Sequence, residues 1–153
     1  ALGFWMEGLP KAPPGLRAGW FNLHKSIGIV VGLLVLVRIY WRVTHRPPEL
    51  PSSLAVWQKK LSHAAHHLLY VLMVLIPVSG FMGSAYSKYP IKFFGLELPK
   101  FFEYDHDLKE FYGEIHEATV WVLIAVLALH ILAALKHRFI DKDTILQRMS
   151  FKR

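Results

Sequence analysis

Three stretches of this chain, about Phe21 to Tyr40, His66 to Tyr86 and Ile115 to Leu135, each approach the roughly 20 apolar residues that a helix needs to cross a bilayer. Lipid offers no partner to a backbone amide, so such runs must close their hydrogen bonds internally and fold as helices. The predicted fold class is therefore all-α, a transmembrane bundle. A hydrophobic share of 54% and a mean hydropathy of +0.32 agree with a membrane chain of 153 residues. The second stretch contains Pro77, Gly80 and Gly83, which a membrane helix tolerates as a kink and not a break. "ALGFWM" (Ala1 to Met6) reads as the last turn or two of a further membrane helix whose beginning lies outside this sequence; the alternative is a short apolar arm on the membrane surface. Four helices are thus expected, the first truncated, in one membrane domain over 1–153 with a tail at 136–153.

Charge predicts the orientation. The formal charge of +7 is scattered between apolar runs and forms no basic stripe, which argues against nucleic-acid binding. Between the first two complete spans lie Arg38, Arg42, Arg46, Lys59 and Lys60 against one acid, Glu49. The tail carries Lys136, Arg138, Lys142, Arg148, Lys152 and Arg153 against Asp141 and Asp143. By the positive-inside bias both should face the cytoplasm. The connection from Ser87 to Glu114 holds four lysines but six acids, and with the Lys11 to Trp20 segment it should face outward. Trp20, Tyr40, Trp41, Trp57, Tyr86 and Tyr112 fall near the span ends, where amphipathic rings favour the interface. Cysteine is absent, which excludes disulfides and thiolate-held metals, so any metal must be bound by histidine or oxygen.

Histidines then stand out. His24 and His116 lie at one depth, just inside the outer ends of their spans. Two neutral imidazoles facing each other across a bundle can hold a haem iron from both sides. Gly28 and Gly32 are expected to leave room for a flat macrocycle by clearing side chains from one stripe. His130 follows His116 by 14 residues, about 21 Å deeper on nearly the same helix face, a spacing that suits a second centre near the other surface. The alternative for each is a structural histidine hydrogen-bonded inside the bundle. Zinc would need more ligands than either depth supplies. His63, His66 and His67 read first as interfacial residues, with two further roles open: partner to His130, or binder of a polar head at the inner surface. His45, His106 and His137 are predicted in or beside loops.

"FNLHKSIGIVVGLLVLVRIYWRVTHRPPELP", "HAAHHLLYVLMVLIPVSGF" and "GEIHEATVWVLIAVLALHILAALKHRFIDKDTILQRM" resemble, in order and spacing, the prokaryotic cytochrome b561 family. The likeness covers nearly the whole chain, and its most specific parts are His-Lys-Ser-x-Gly and the paired histidines of the last helix. It implies four helices holding two haems b, each ligated by two histidines, in the bacterial inner membrane. It implies that His24 and His116 bind the outer haem and His130 the inner one. The family's second inner ligand sits near the start of its first helix, a position this sequence does not contain, so the inner site is incomplete as written. Lys25 on the outer side, and Arg38 or Arg42 on the inner, are candidate partners for haem propionates, with snorkelling as the alternative for the arginines. His137 and Arg138 are placed for an inner quinone headgroup.

Two functions follow from that resemblance, and a third of a different class competes with them. One is a dihaem electron carrier between an outer-side donor and ubiquinone or another membrane quinone. The second is a superoxide oxidase reducing ubiquinone, which needs an attractive site for a small anion near the outer haem. Lys25, Lys88, Lys92 and Lys100 could supply it, opposed by the acids from Glu103 to Glu114. The third is a haem-binding subunit of a larger respiratory complex; a homodimer is also open. A transporter is disfavoured, since the spans contain no charged pairs to mark a substrate path.

Overall fold

The computed structural model describes residues 2–9, 15–45 and 55–142. Six elements follow in order: α1 Leu2–Glu7, α2 Leu16–Thr44, α3 Val56–Ala85, the strands β1 Lys92–Phe93 and β2 Leu96–Glu97, and α4 His106–Phe139. Arg46, Glu49, Lys11, Asp143, Arg148, Lys152 and Arg153, used above to predict orientation, lie outside the described residues.

Helices α2, α3 and α4 are each long and apolar enough to cross a membrane. They run 29, 30 and 34 residues, beyond the apolar windows read from the sequence. The extra turns are polar and have their own local causes. Asp105 caps α4 by accepting from the Leu108 amide at 2.9 Å. Asp107 in the first turn and Lys136, His137 and Arg138 in the last match the helix dipole. His106 is the first residue of α4 and His137 lies in its last turn, each beside a loop, while His45 sits at the α2 terminus with its ring stacked on Trp41 at 3.7 Å.

Pro77 lies inside an uninterrupted α3. The residues of "ALGFWM" that are described are helical and packed: Trp5 meets Trp20 edge-on at 4.8 Å, Phe4 lies 4.7 Å from Trp121 of α4, and Met6 is buried. Thus α1 touches both α2 and α4.

Little of the bundle is buried in protein. Among the described residues of α4 none is buried, and Leu33, Leu34, Leu36 and Val37 on α2 are mostly exposed. Lipid tails are as apolar as leucine, so the helices associate through close backbone approach and not through a water-driven core. Small residues provide it. A β-carbon at Gly83 would sit 3.5 Å from the Gly113 amide nitrogen, and one at Gly32 would sit 3.3 Å from Pro77 Cβ.

The connection between α3 and α4 contains a hairpin that the sequence pattern does not announce. Lys92 pairs with Glu97 and Phe93 with Leu96 around Phe94 and Gly95, whose φ values of 48° and 95° are the positive pair a two-residue hairpin turn uses. The hairpin is fastened to α2 by Ser26, which is 1% exposed. Ser26 Oγ accepts from the Phe94 amide at 2.9 Å and lies 2.8 Å and 3.0 Å from the Asn22 and Lys92 carbonyls, either of which it can donate to. Ser26→Ala leaves the Phe94 amide and Lys92 carbonyl without that partner, at a cost of about 1–3 kcal/mol. Faster hydrogen exchange at Phe94, confined to residues 91–98, is the expected result.

Candidate functional site

Two histidine pairs lie along the bundle. At the hairpin end, His24 of α2 faces His116 of α4 with ring centroids 6.2 Å apart and planes at 84°. Toward the other end, which carries Arg42, Lys59 and Lys60, His130 of α4 meets His66 of α3 at 5.3 Å and 63°. All four rings are partly buried.

The surroundings of His116 determine what its ring can do. Its Nδ1 lies 2.9 Å from the Ile76 carbonyl oxygen, which can only accept, so Nδ1 carries the proton and donates. In the neutral ring Nε2 then keeps its lone pair, the tautomer that metal-binding histidines adopt through a carbonyl partner on the other nitrogen. Ser79, 1% exposed, donates its hydroxyl to the Leu75 carbonyl at 2.7 Å and stands 3.4 Å from His116 Nδ1. Gly80 completes the cradle. A β-carbon there would come within 2.9 Å of both His116 Cε1 and Nδ1. Helix α3 thus orients the His116 ring without adding a ligand at this end. A pair of imidazoles from separate helices, one locked in the tautomer that frees Nε2, is a donor set that fits a haem iron.

Other residues singled out from the sequence distribute as follows. A β-carbon at Gly28 would meet nothing within 4 Å, whereas one at Gly32 would meet Pro77 Cβ at 3.3 Å, so the expected stripe of open space does not extend to Gly32. Lys25 is partly buried next to His24 and makes no ion pair among the described residues. Arg38 is exposed, and Arg42, one turn on, shares a small hollow with His63, His66, His67 and Tyr70. His67 Nδ1 lies 2.7 Å from the His63 carbonyl and so donates to it. His137, in the last turn of α4, has Nδ1 3.3 Å from Asp141 Oδ2, and Lys136 reaches the same carboxylate at 2.6 Å. Of the lysines near the hairpin, Lys88 lies over the Tyr104 ring at 4.7 Å. Lys100 pairs with Glu103 at 2.8 Å, and this hydrogen bond and its charge hold the Glu103 carboxyl below its ordinary pKa.

Ser79 and Gly80 were missed as site residues. The only signal was "PVSG" itself, a motif that also reads as a simple kink.

Comparison with known proteins points the same way. The chain is 34% identical to cytochrome b561 homolog 2 of Escherichia coli K12 over 97% of its own length and 79% of that protein's. It is 29% identical to cytochrome b561 homolog 1 of the same organism, over 88% and 83% of the two lengths. It is 30% identical to a probable superoxide oxidase CybB of Yersinia pestis, over 93% and 81%. Residues 1–152 match the family model of prokaryotic cytochrome b561. With its three membrane-length helices and its facing histidines, the chain belongs to the prokaryotic cytochrome b561 family of membrane haem proteins, whose work is electron transfer.

Proposed function

We propose that this chain holds two haems b and exchanges electrons between a donor at the hairpin end, facing the cell exterior, and the membrane quinone pool. The observation that carries the reading is the His24 and His116 pair, with the His116 tautomer set by the Ile76 carbonyl. Bound haem supplies a reversible one-electron change at iron; the protein supplies ligation, depth and polarity. His24 and His116 hold the outer group. His130, about 21 Å away along α4, is the inner ligand contributed by this helix. His66 stands nearest to His130 among the described histidines, while the family resemblance assigns the second inner ligand to the first helix. Lys25 can answer a propionate at the outer site, and Arg38 or Arg42 at the inner, by charge-assisted hydrogen bonds. The basic end, which faces the cytoplasm by its lysine and arginine excess, is where quinone would be met, with His137 and Arg138 as donors.

Superoxide oxidation is the second reading, favoured by the 30% identity to the Yersinia pestis protein. Lys25 and Lys92, both on the hairpin side and without ion pairs among the described residues, would attract the anion.

A pyridine haemochrome assay on the chain in mild detergent tests the first statement; two haems b per polypeptide are expected, and none would overturn it. Adding superoxide with ubiquinone then separates the readings. Quinone reduction that depends on superoxide makes the protein an oxidase, and its absence in a haem-replete sample leaves the carrier.

A further inference from the structure

At the basic end, residues of α2 and α3 line an open, shallow groove of about 460 Å³ whose walls are almost wholly apolar. Ile39 and Val43 line it from α2, and Val71, Val74 and Val78 from α3. Arg42 and Tyr70 close one end, where the groove adjoins the hollow of about 150 Å³ that also contains His63, His66 and His67. From Tyr70 to Val78 the wall runs roughly 12 Å along the helix. One leaflet of a bilayer has a hydrocarbon depth of roughly 15 Å, half of the core, so the groove matches the reach of one leaflet's acyl chain.

We propose that this groove binds an anionic phospholipid, its phosphodiester on Arg42 and one acyl chain laid along α3. Charge selects the occupant. Neither α2 nor α3 contains an aspartate or glutamate, so neither helix offers Arg42 a carboxylate, while Arg38, Lys59 and Lys60 add to the positive field. A guanidinium matches phosphate oxygens in a two-pronged hydrogen bond, and basic hollows between membrane helices bind anionic headgroups by this chemistry. The Tyr70 hydroxyl and the His63 ring nitrogens surround the same position with further donors. A quinone headgroup is neutral and would leave Arg42 without a counter-ion. The inference rests on the membrane location and on Arg38, not Arg42, answering the inner propionate; it is independent of the electron donor.

The test uses the full chain in nanodiscs of mixed phosphatidylglycerol and phosphatidylcholine, followed by native mass spectrometry of the lipid that stays bound. Expected is one phosphatidylglycerol per chain, preferred over phosphatidylcholine by roughly fivefold or more, with the preference lost in Arg42→Gln and largely kept in Arg42→Lys. Val74→Trp fills the groove without touching charge and should also expel the lipid, which covers the case in which Arg42→Gln fails to fold. Equal retention of both lipids by the parent protein, or a preference unchanged in Arg42→Gln and Val74→Trp, would overturn the assignment. Displacement of the retained lipid by a short-chain ubiquinone at matching stoichiometry would overturn it too, and give the groove to quinone.

Discussion

Alanine at His116 is expected to remove one haem b from each chain, seen as the loss of a single component from the reduced-minus-oxidised spectrum. Alanine at His24 should remove the same component, and the double variant no more than either alone. That equality is the informative part. Two ligands of one iron act as a unit, so their losses do not add, whereas two structural histidines would perturb the bundle separately and spare the spectrum. His130→Ala should remove a different component, since α4 places it about 21 Å away. An unchanged spectrum in His116→Ala would remove the hairpin-end pair from the account.

Valine at Gly80 should be nearly as damaging, although the residue bears no chemistry. A β-carbon there meets His116 Cε1 and Nδ1 at 2.9 Å, and the ring cannot retreat without losing its 2.9 Å bond to the Ile76 carbonyl. Overpacking of this kind costs about 1–3 kcal/mol. The expected outcome is loss of the outer haem component together with a lower melting temperature. Gly80→Ala should show a smaller form of both effects. Gly19→Ala, on α2 with nothing within 4 Å of the new β-carbon, should show neither. Retention of full haem content by Gly80→Val would mean that His116 does not need its present seat.

What was legible in the sequence follows from which forces act locally. Span number and rough position can be read because hydropathy over about 20 residues is a sum along the chain. His24 and His116 could be matched because equal depth needs only residue counts. Helix ends escaped because their stability comes from caps and dipole charges at Asp105, Asp107 and Lys136, outside the apolar windows. The hairpin escaped because "KFFGLE" puts Phe94, a residue that seldom adopts positive φ, at the first turn position, where its amide bonds a serine far away in the chain. Gly80 was visible as a residue but not as a seat for His116, because that role depends on which face of α4 lies opposite. The Gly32 half of the expected gap was wrong in the same way: only the fold shows Pro77 filling it.

The division of labour around His116 also bears on biogenesis. His24, on α2, is translated before α3 and α4, so its proposed partner His116 emerges two helices later. The carbonyl and glycine that orient His116 belong to α3, the preceding helix, so the ring can be set by the α3–α4 pair on its own. Nascent chains would therefore present an unfinished pocket until α4 inserts. If His24 and His116 ligate one haem as proposed, its capture would report that α4 has inserted, and a polypeptide stalled before α4 would offer quality-control proteases a bundle without that cross-link.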